Sequence, residues 1–227
     1  VLPWVRPLRL TTGQLLSRKV PQVARLFWTY LLVVIGSVVL AVGVFGRERL
    51  HWAMFVADGA IFVTTCFFAT SYWRSLRPQL SRFGFGRWEA WAALAALVPL
   101  LALNYGYHSF LTGSDGGSGE GFLHTLREAG LSTAALVFLV AIFPAVSEEL
   151  AFRGLVQHWL LTAVSPARAM VISAALFAVI HLSILSVPYL FLVGLLLGWV
   201  KWRTGSLYPC MAVHFFHNFA VLELLPT

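Results

Sequence analysis

Apolar runs of about twenty residues, long enough to span the roughly 30 Å hydrocarbon core of a bilayer, recur along nearly the whole chain, and about seven can be marked off. A soluble domain has no use for so many. With 59% hydrophobic residues, 11% charged residues and a mean hydropathy of +0.81, the expected fold is all-α. It is a polytopic membrane helix bundle of about seven transmembrane helices. A formal charge of +7 and a pI near 10.0 could suit nucleic acid, but the cations lie between the apolar runs and not along one basic face. The partner they imply is the bilayer.

The first segment, residues 1–25, carries Arg6, Arg9, Arg18, Lys19 and Arg25 and no acid, and reads as a cytoplasmic arm. Its apolar residues are too scattered for a cleavable signal peptide. Spans are expected at Leu26 to Gly46, Trp52 to Trp73 and Trp88 to Tyr107. Between the second and third, Arg74, Arg77, Arg82 and Arg87 alternate with Leu, Phe and Trp, which fits either an interfacial segment on anionic lipid or an ordinary basic loop. Composition changes at residues 108–130, a Gly-rich, flexible loop that divides the N-terminal arm and three spans (1–107) from a four-span core (131–227). The core spans are expected at Leu131 to Ala163, Pro166 to Leu185, Val187 to Trp202 and Ser206 to Leu225.

Counting cations orients the bundle. A cytoplasmic N-terminus leaves Arg6, Arg9, Arg18, Lys19, Arg25, Arg74, Arg77, Arg82, Arg87, Arg168, Lys201 and Arg203 inside, against Arg47, Arg49 and Arg127 outside. Trp28, Trp73, Trp88, Trp91, Trp159, Trp199 and Trp202 then fall near inner span ends, as interfacial anchors would.

Against this background the sequence SEELAFR, residues 147–153, is costly. An ionisable side chain at the centre of a membrane helix costs about 2.5–3.5 kcal/mol on insertion scales, so such groups mark function more readily than packing. Glu149 and Arg153 are i,i+4 and can pair on one helix face. The other polar residues keep helical spacing: Phe177 and His181 in FAVIH, His214 and Asn218 in HFFHN. At 1.5 Å per residue, Glu148 and His181 each lie about 21 Å from the inner ends of their helices and Asn218 about 18 Å. The groups are level, which suggests one site within the membrane.

EELAFR, FAVIH and HFFHN, in that order on successive spans, resemble the motifs of the CPBP family of intramembrane endopeptidases, which includes the CAAX prenyl endopeptidases and the bacterial Abi proteins. The resemblance covers about Leu131 to Leu225 and does not reach the first three spans. It implies a peptidase of a bacterial inner membrane acting on a membrane-associated protein or peptide, lipidated or not. It also implies roles: Glu148 activates water together with His181, Glu149 paired with Arg153 orients the site, and His214 and Asn218 donate hydrogen bonds to the oxyanion. No cofactor is required by this scheme. A divalent metal such as zinc, held by Glu148, Glu149, His181 and His214, is the alternative the family allows.

Plainer readings exist for each group. Glu149 with Arg153 also suits a purely structural ion pair, His181 a hydrogen-bonded core histidine, Phe177 simple packing and His217 a supporting or interfacial place. Asp58 stands alone in the second span. Cys66 and Cys210 lack CxxC spacing and read as free thiols. Gly194 and Gly198 permit close helix packing. The competing function is a non-enzymatic membrane protein, a transporter or an immunity or scaffold protein, with the polar cluster serving binding or proton movement.

Overall fold

The computed structural model describes residues 12–45, 50–112, 126–128 and 130–224, and among them there is no β-strand. The basic arm up to residue 11 and most of the Gly-rich loop, residues 113–125, lie outside the described residues. The helices are α1 (Thr12–Phe45), α2 (Leu50–Ser71), α3 (Trp73–Leu80), α4 (Trp88–Thr112), α5 (Thr133–Leu161), α6 (Pro166–Val179), α7 (Val187–Thr204) and α8 (Tyr208–Leu224). Three stretches are long and apolar enough to cross a bilayer, Lys19–Val44 in α1, Trp88–Phe110 in α4 and Thr133–Leu161 in α5, and α2 with α3 makes a fourth as a bent pair.

The chain is an all-α membrane helix bundle. Leu32, Val39, Leu40, Val63, Phe67 and Val98 point outward with more than half their surface uncovered, a continuous apolar exterior that a bilayer solvates and water does not. Because lipid is as apolar as leucine, close packing and internal hydrogen bonds must hold these helices together. Gly194 and Gly198 serve both ends. A Cβ on Gly194 would sit 2.9 Å from the Ala174 Cα, so α6 and α7 touch backbone to backbone. The two glycine carbonyls accept from α5: Arg153 Nη2 reaches Gly194 O at 3.2 Å and Gln157 Nε2 reaches Gly198 O at 2.7 Å. Gly194→Ala is therefore expected to overpack this seam and cost about 1–3 kcal/mol. A lower thermal midpoint in detergent checks it, with Gly36→Ala, where a Cβ meets nothing within 4 Å, as the unaffected control.

The ends of the helices explain much of the architecture. Ser132 caps α5 by accepting from Ala135 N at 3.3 Å. Pro166 opens α6, where its missing N–H costs nothing, and Gly205 at φ 68° ends α7 by donating to Lys201 O. Between α2 and α3 the chain bends by 92°, so the arginine-rich segment is a short helix turned across the bundle. The loop after it is pinned by Ser206, whose hydroxyl donates to Phe83 O at 3.2 Å and also to Arg82 O. Gly84, at φ 78°, passes so close that a Cβ would lie 2.6 Å from the Ser206 Cβ.

Positively charged ends gather together. Arg25 of α1 donates to the Tyr72 hydroxyl, and the fully buried Glu89 at the start of α4 takes Arg87 at 3.2 Å and Arg203 of α7 at 2.7 Å. Two expectations need correction. Trp159 is not an interfacial anchor: it is 1% exposed, with its ring 4.8 Å from Tyr72 in the core between α5 and the α1–α3 layer. The fifth span does not run to Leu185, because α6 ends at Val179 and Leu182 takes the left-handed φ of 54°. That backbone costs a non-glycine residue about 1–3 kcal/mol and recurs at functional sites.

Candidate active site

α5 is wound unevenly, and the irregularity builds the site. Val137–Ile142 and Glu149–Gln157 are π-helical, with Phe143 N bonded to Phe138 O, five residues back. Such segments cluster at functional sites. Pro144 has no N–H to give to the carbonyl of Val140, four residues earlier. The carbonyl is satisfied from another helix: Asn218 Nδ2 of α8 donates to Val140 O at 3.0 Å. In the second segment, Ser173 Oγ donates to Phe152 O at 3.3 Å and Gln79 Nε2 to Gly154 O at 2.8 Å. Buried polar residues thus supply the partners that irregular backbone needs.

Glu149 lies at the centre, fully buried. Its Oε1 receives Arg153 Nη1 at 3.0 Å and His214 Nδ1 at 2.9 Å. Arg153 is equally buried, and its guanidinium stands over the Phe177 ring at 4.3 Å. The Phe177 ring also meets those of His181 and His214 edge-on, at 4.8 and 5.8 Å between centroids. Phe177 is thus the spacer on which both imidazoles and the arginine rest.

Glu148 faces the other way. Its side chain is 20% exposed, and Oε2 is buried without a hydrogen-bond partner, 3.8 Å from His181 Nε2 and 4.0 Å from His214 Nε2. The partners of the opposite ring nitrogens fix both tautomers. Phe177 O, 2.7 Å from His181 Nδ1, can only accept, as can the Glu149 carboxylate beside His214 Nδ1. Each Nδ1 therefore carries a proton, and in the neutral rings each Nε2 turns a lone pair toward Glu148. The gaps are too wide for direct hydrogen bonds.

Glu148, Glu149, Arg153, His181 and His214 thus come together from α5, α8 and the turn after α6. Asn218 does not join them by any contact described: its amide is on Val140 O, and its Oδ1 accepts from His217 Nδ1 at 2.8 Å. His217, expected at a supporting or interfacial place, is buried and bonded through Nε2 to the Tyr189 hydroxyl at 2.6 Å. Asn218→Ala is expected to orphan the Val140 carbonyl, at about 1–3 kcal/mol. The double variant with Pro144→Ala should recover part of that loss, since an alanine N–H can serve the same carbonyl, and a thermal-unfolding double-mutant cycle measures the coupling.

Asp58 sits half-buried on α2, with Oδ2 lacking a hydrogen-bond partner. Cys66 is exposed and Cys210 buried, both as free thiols. A metal does not fit the cluster well. Among the described residues no three His, Cys, Asp or Glu side chains are grouped to hold one, and the 3.8 and 4.0 Å separations exceed the ~3.4 Å between ligand atoms around tetrahedral zinc.

Residues 130–220 match the family model described as Type II CAAX prenyl endopeptidase Rce1-like. This segment of the chain is similar to that family. No curated protein and no solved structure matches. The matched stretch runs from the start of α5 into α8 and contains every member of the Glu148–Glu149–Arg153–His181–His214 cluster, whereas α1 to α4 lie outside it.

Proposed function

We propose that the protein is an intramembrane endopeptidase that hydrolyses a peptide bond of a membrane-associated protein or peptide by glutamate- and histidine-activated water. The observation that carries this reading is the unpartnered Oε2 of Glu148, opposite two imidazole lone pairs. A water bridging Glu148 Oε2 and His181 Nε2 gives its proton to the carboxylate as its oxygen attacks the scissile carbonyl carbon. The carbonyl oxygen becomes an oxyanion, and Glu148 returns the proton to the leaving amine as the C–N bond breaks; the remaining water proton then passes from the new carboxyl group to the amine, giving a carboxylate and an ammonium. His214 donates to the oxyanion from Nε2 when both its nitrogens carry protons, with the Glu149 carboxylate as its counter-ion. Asn218 has a second amide proton for the same oxyanion, since only one is required by Val140 O. Glu149 and Arg153 position His214. The arginine distribution supports a cytoplasmic N-terminus.

The family match supports proteolysis over transport or scaffolding. The test is purified protein in detergent with a library of internally quenched peptides, with and without a lipidated cysteine, and a chelator present throughout. The parent should cleave and Glu148→Ala and His181→Ala should not. Equal cleavage by all of them removes the assignment of these residues, and the loss of all parent activity to the chelator favours the metal alternative.

A further inference from the structure

A cavity of about 180 Å³ opens beside Glu148 and His181, and three of its seven lining residues come from helices outside the family-matched segment. Tyr30 and Val34 of α1 and Ile61 of α2 face Phe152 of α5 and Ile180 after α6 across it. Apart from the two catalytic groups its lining presents no free polar side-chain atom. The one candidate, the Tyr30 hydroxyl, is engaged with Thr65 Oγ1 of α2, which also donates to Ile61 O at 2.8 Å. Tyr30 is 2% exposed and meets the Phe152 ring edge-on at 6.2 Å. The wall is built from the buried Tyr30, Phe152 and Ile180 and the partly buried Val34 and Ile61.

Size decides what the space can take. A 150 Å³ protein cavity lined by Leu, Ile and Phe accommodates benzene, so a slightly larger one admits a branched aliphatic or phenyl side chain. We propose that this cavity receives one apolar side chain of the peptide substrate, the residue beside the scissile bond, and that α1 and α2 set how large that side chain is. The proposal rests on the endopeptidase reading and deepens it. It accounts for the catalytic groups standing at one end of an otherwise apolar chamber: a side chain seated in the cavity brings its own backbone carbonyl to Glu148.

The experiment uses the full chain in detergent and the quenched peptide library, with Ala, Val, Leu, Phe or Trp flanking the cleaved bond. The parent should favour Leu or Phe over Ala and Trp by at least about tenfold in kcat/KM, the scale on which apolar pockets discriminate. Val34→Trp and Ile61→Trp, which fill the space, should lose Leu and Phe substrates by about tenfold or more while keeping Ala. Val34→Ala, which opens it without the risk of overpacking, should admit Trp. Leu32→Trp, on the outer face of α1 at 67% exposure, should keep the parent profile. An unchanged profile in folded Val34→Ala overturns the proposal and leaves the endopeptidase reading standing. A parent that cleaves none of the peptides overturns both.

Discussion

Glu148→Gln is expected to lower kcat by about 10²–10⁴-fold, the usual contribution of a general base, and to leave thermal stability at the parent value. The two effects separate because of where the carboxylate stands. Glu148 Oε2 has no hydrogen-bond partner in the protein, and its side chain is partly open to the cavity, so an isosteric amide removes no intramolecular bond. It does remove the group that takes a proton. A loss of stability parallel to the loss of rate would mean that Glu148 serves the fold and not the reaction.

The neighbouring carboxylate should behave in the opposite way. Arg153→Met leaves Glu149 charged, completely buried and without its cation, and takes the Arg153 donor from the Gly194 carbonyl. Breaking a buried ion pair from one side costs about 3–5 kcal/mol, a large part of the stability of most domains. The expected result is poor recovery from membranes and a much lower thermal midpoint in detergent. Arg153→Lys should rescue little, because a single ammonium cannot span Glu149 and Gly194 while lying over the Phe177 ring. The double variant Glu149→Gln with Arg153→Met should regain stability, since no charge is then left alone, but not activity, since His214 loses its counter-ion. Full activity in that double variant would contradict the positioning role.

These residues also mark how far the sequence could be read. Glu149 and Arg153 were legible because helical spacing fixes which side chains share a face, and charges in an apolar run carry a cost that needs a partner. The level of Glu148 and His181 followed from helix rise alone. Tertiary relations were not legible. Nothing local distinguishes the buried Trp159 from the exposed Trp88, since both stand near helix ends in apolar surroundings. Helical periodicity passes through Val179 without a break, so the turn that aims His181 is invisible until the left-handed Leu182 is seen. The partner of Asn218 could have been sought from Pro144, whose missing N–H announces an orphaned carbonyl one turn back, but not which helix supplies the donor. Gln157 and Gln79 carried no signal beyond being polar, and each proves to satisfy the backbone of a close-packed neighbour. Tyr30 lies outside every motif, and its place against the site depends on how α1 packs on α2 and α5.

The most direct test of the central claim is hydrolysis in water labelled with oxygen-18, using protein and peptide library reconstituted in liposomes and products read by mass spectrometry. The account predicts that the parent yields a new amine and a new carboxyl group carrying one labelled oxygen, and that Glu148→Gln, equally folded, yields neither. Labelled product formed by Glu148→Gln at the parent rate would contradict it.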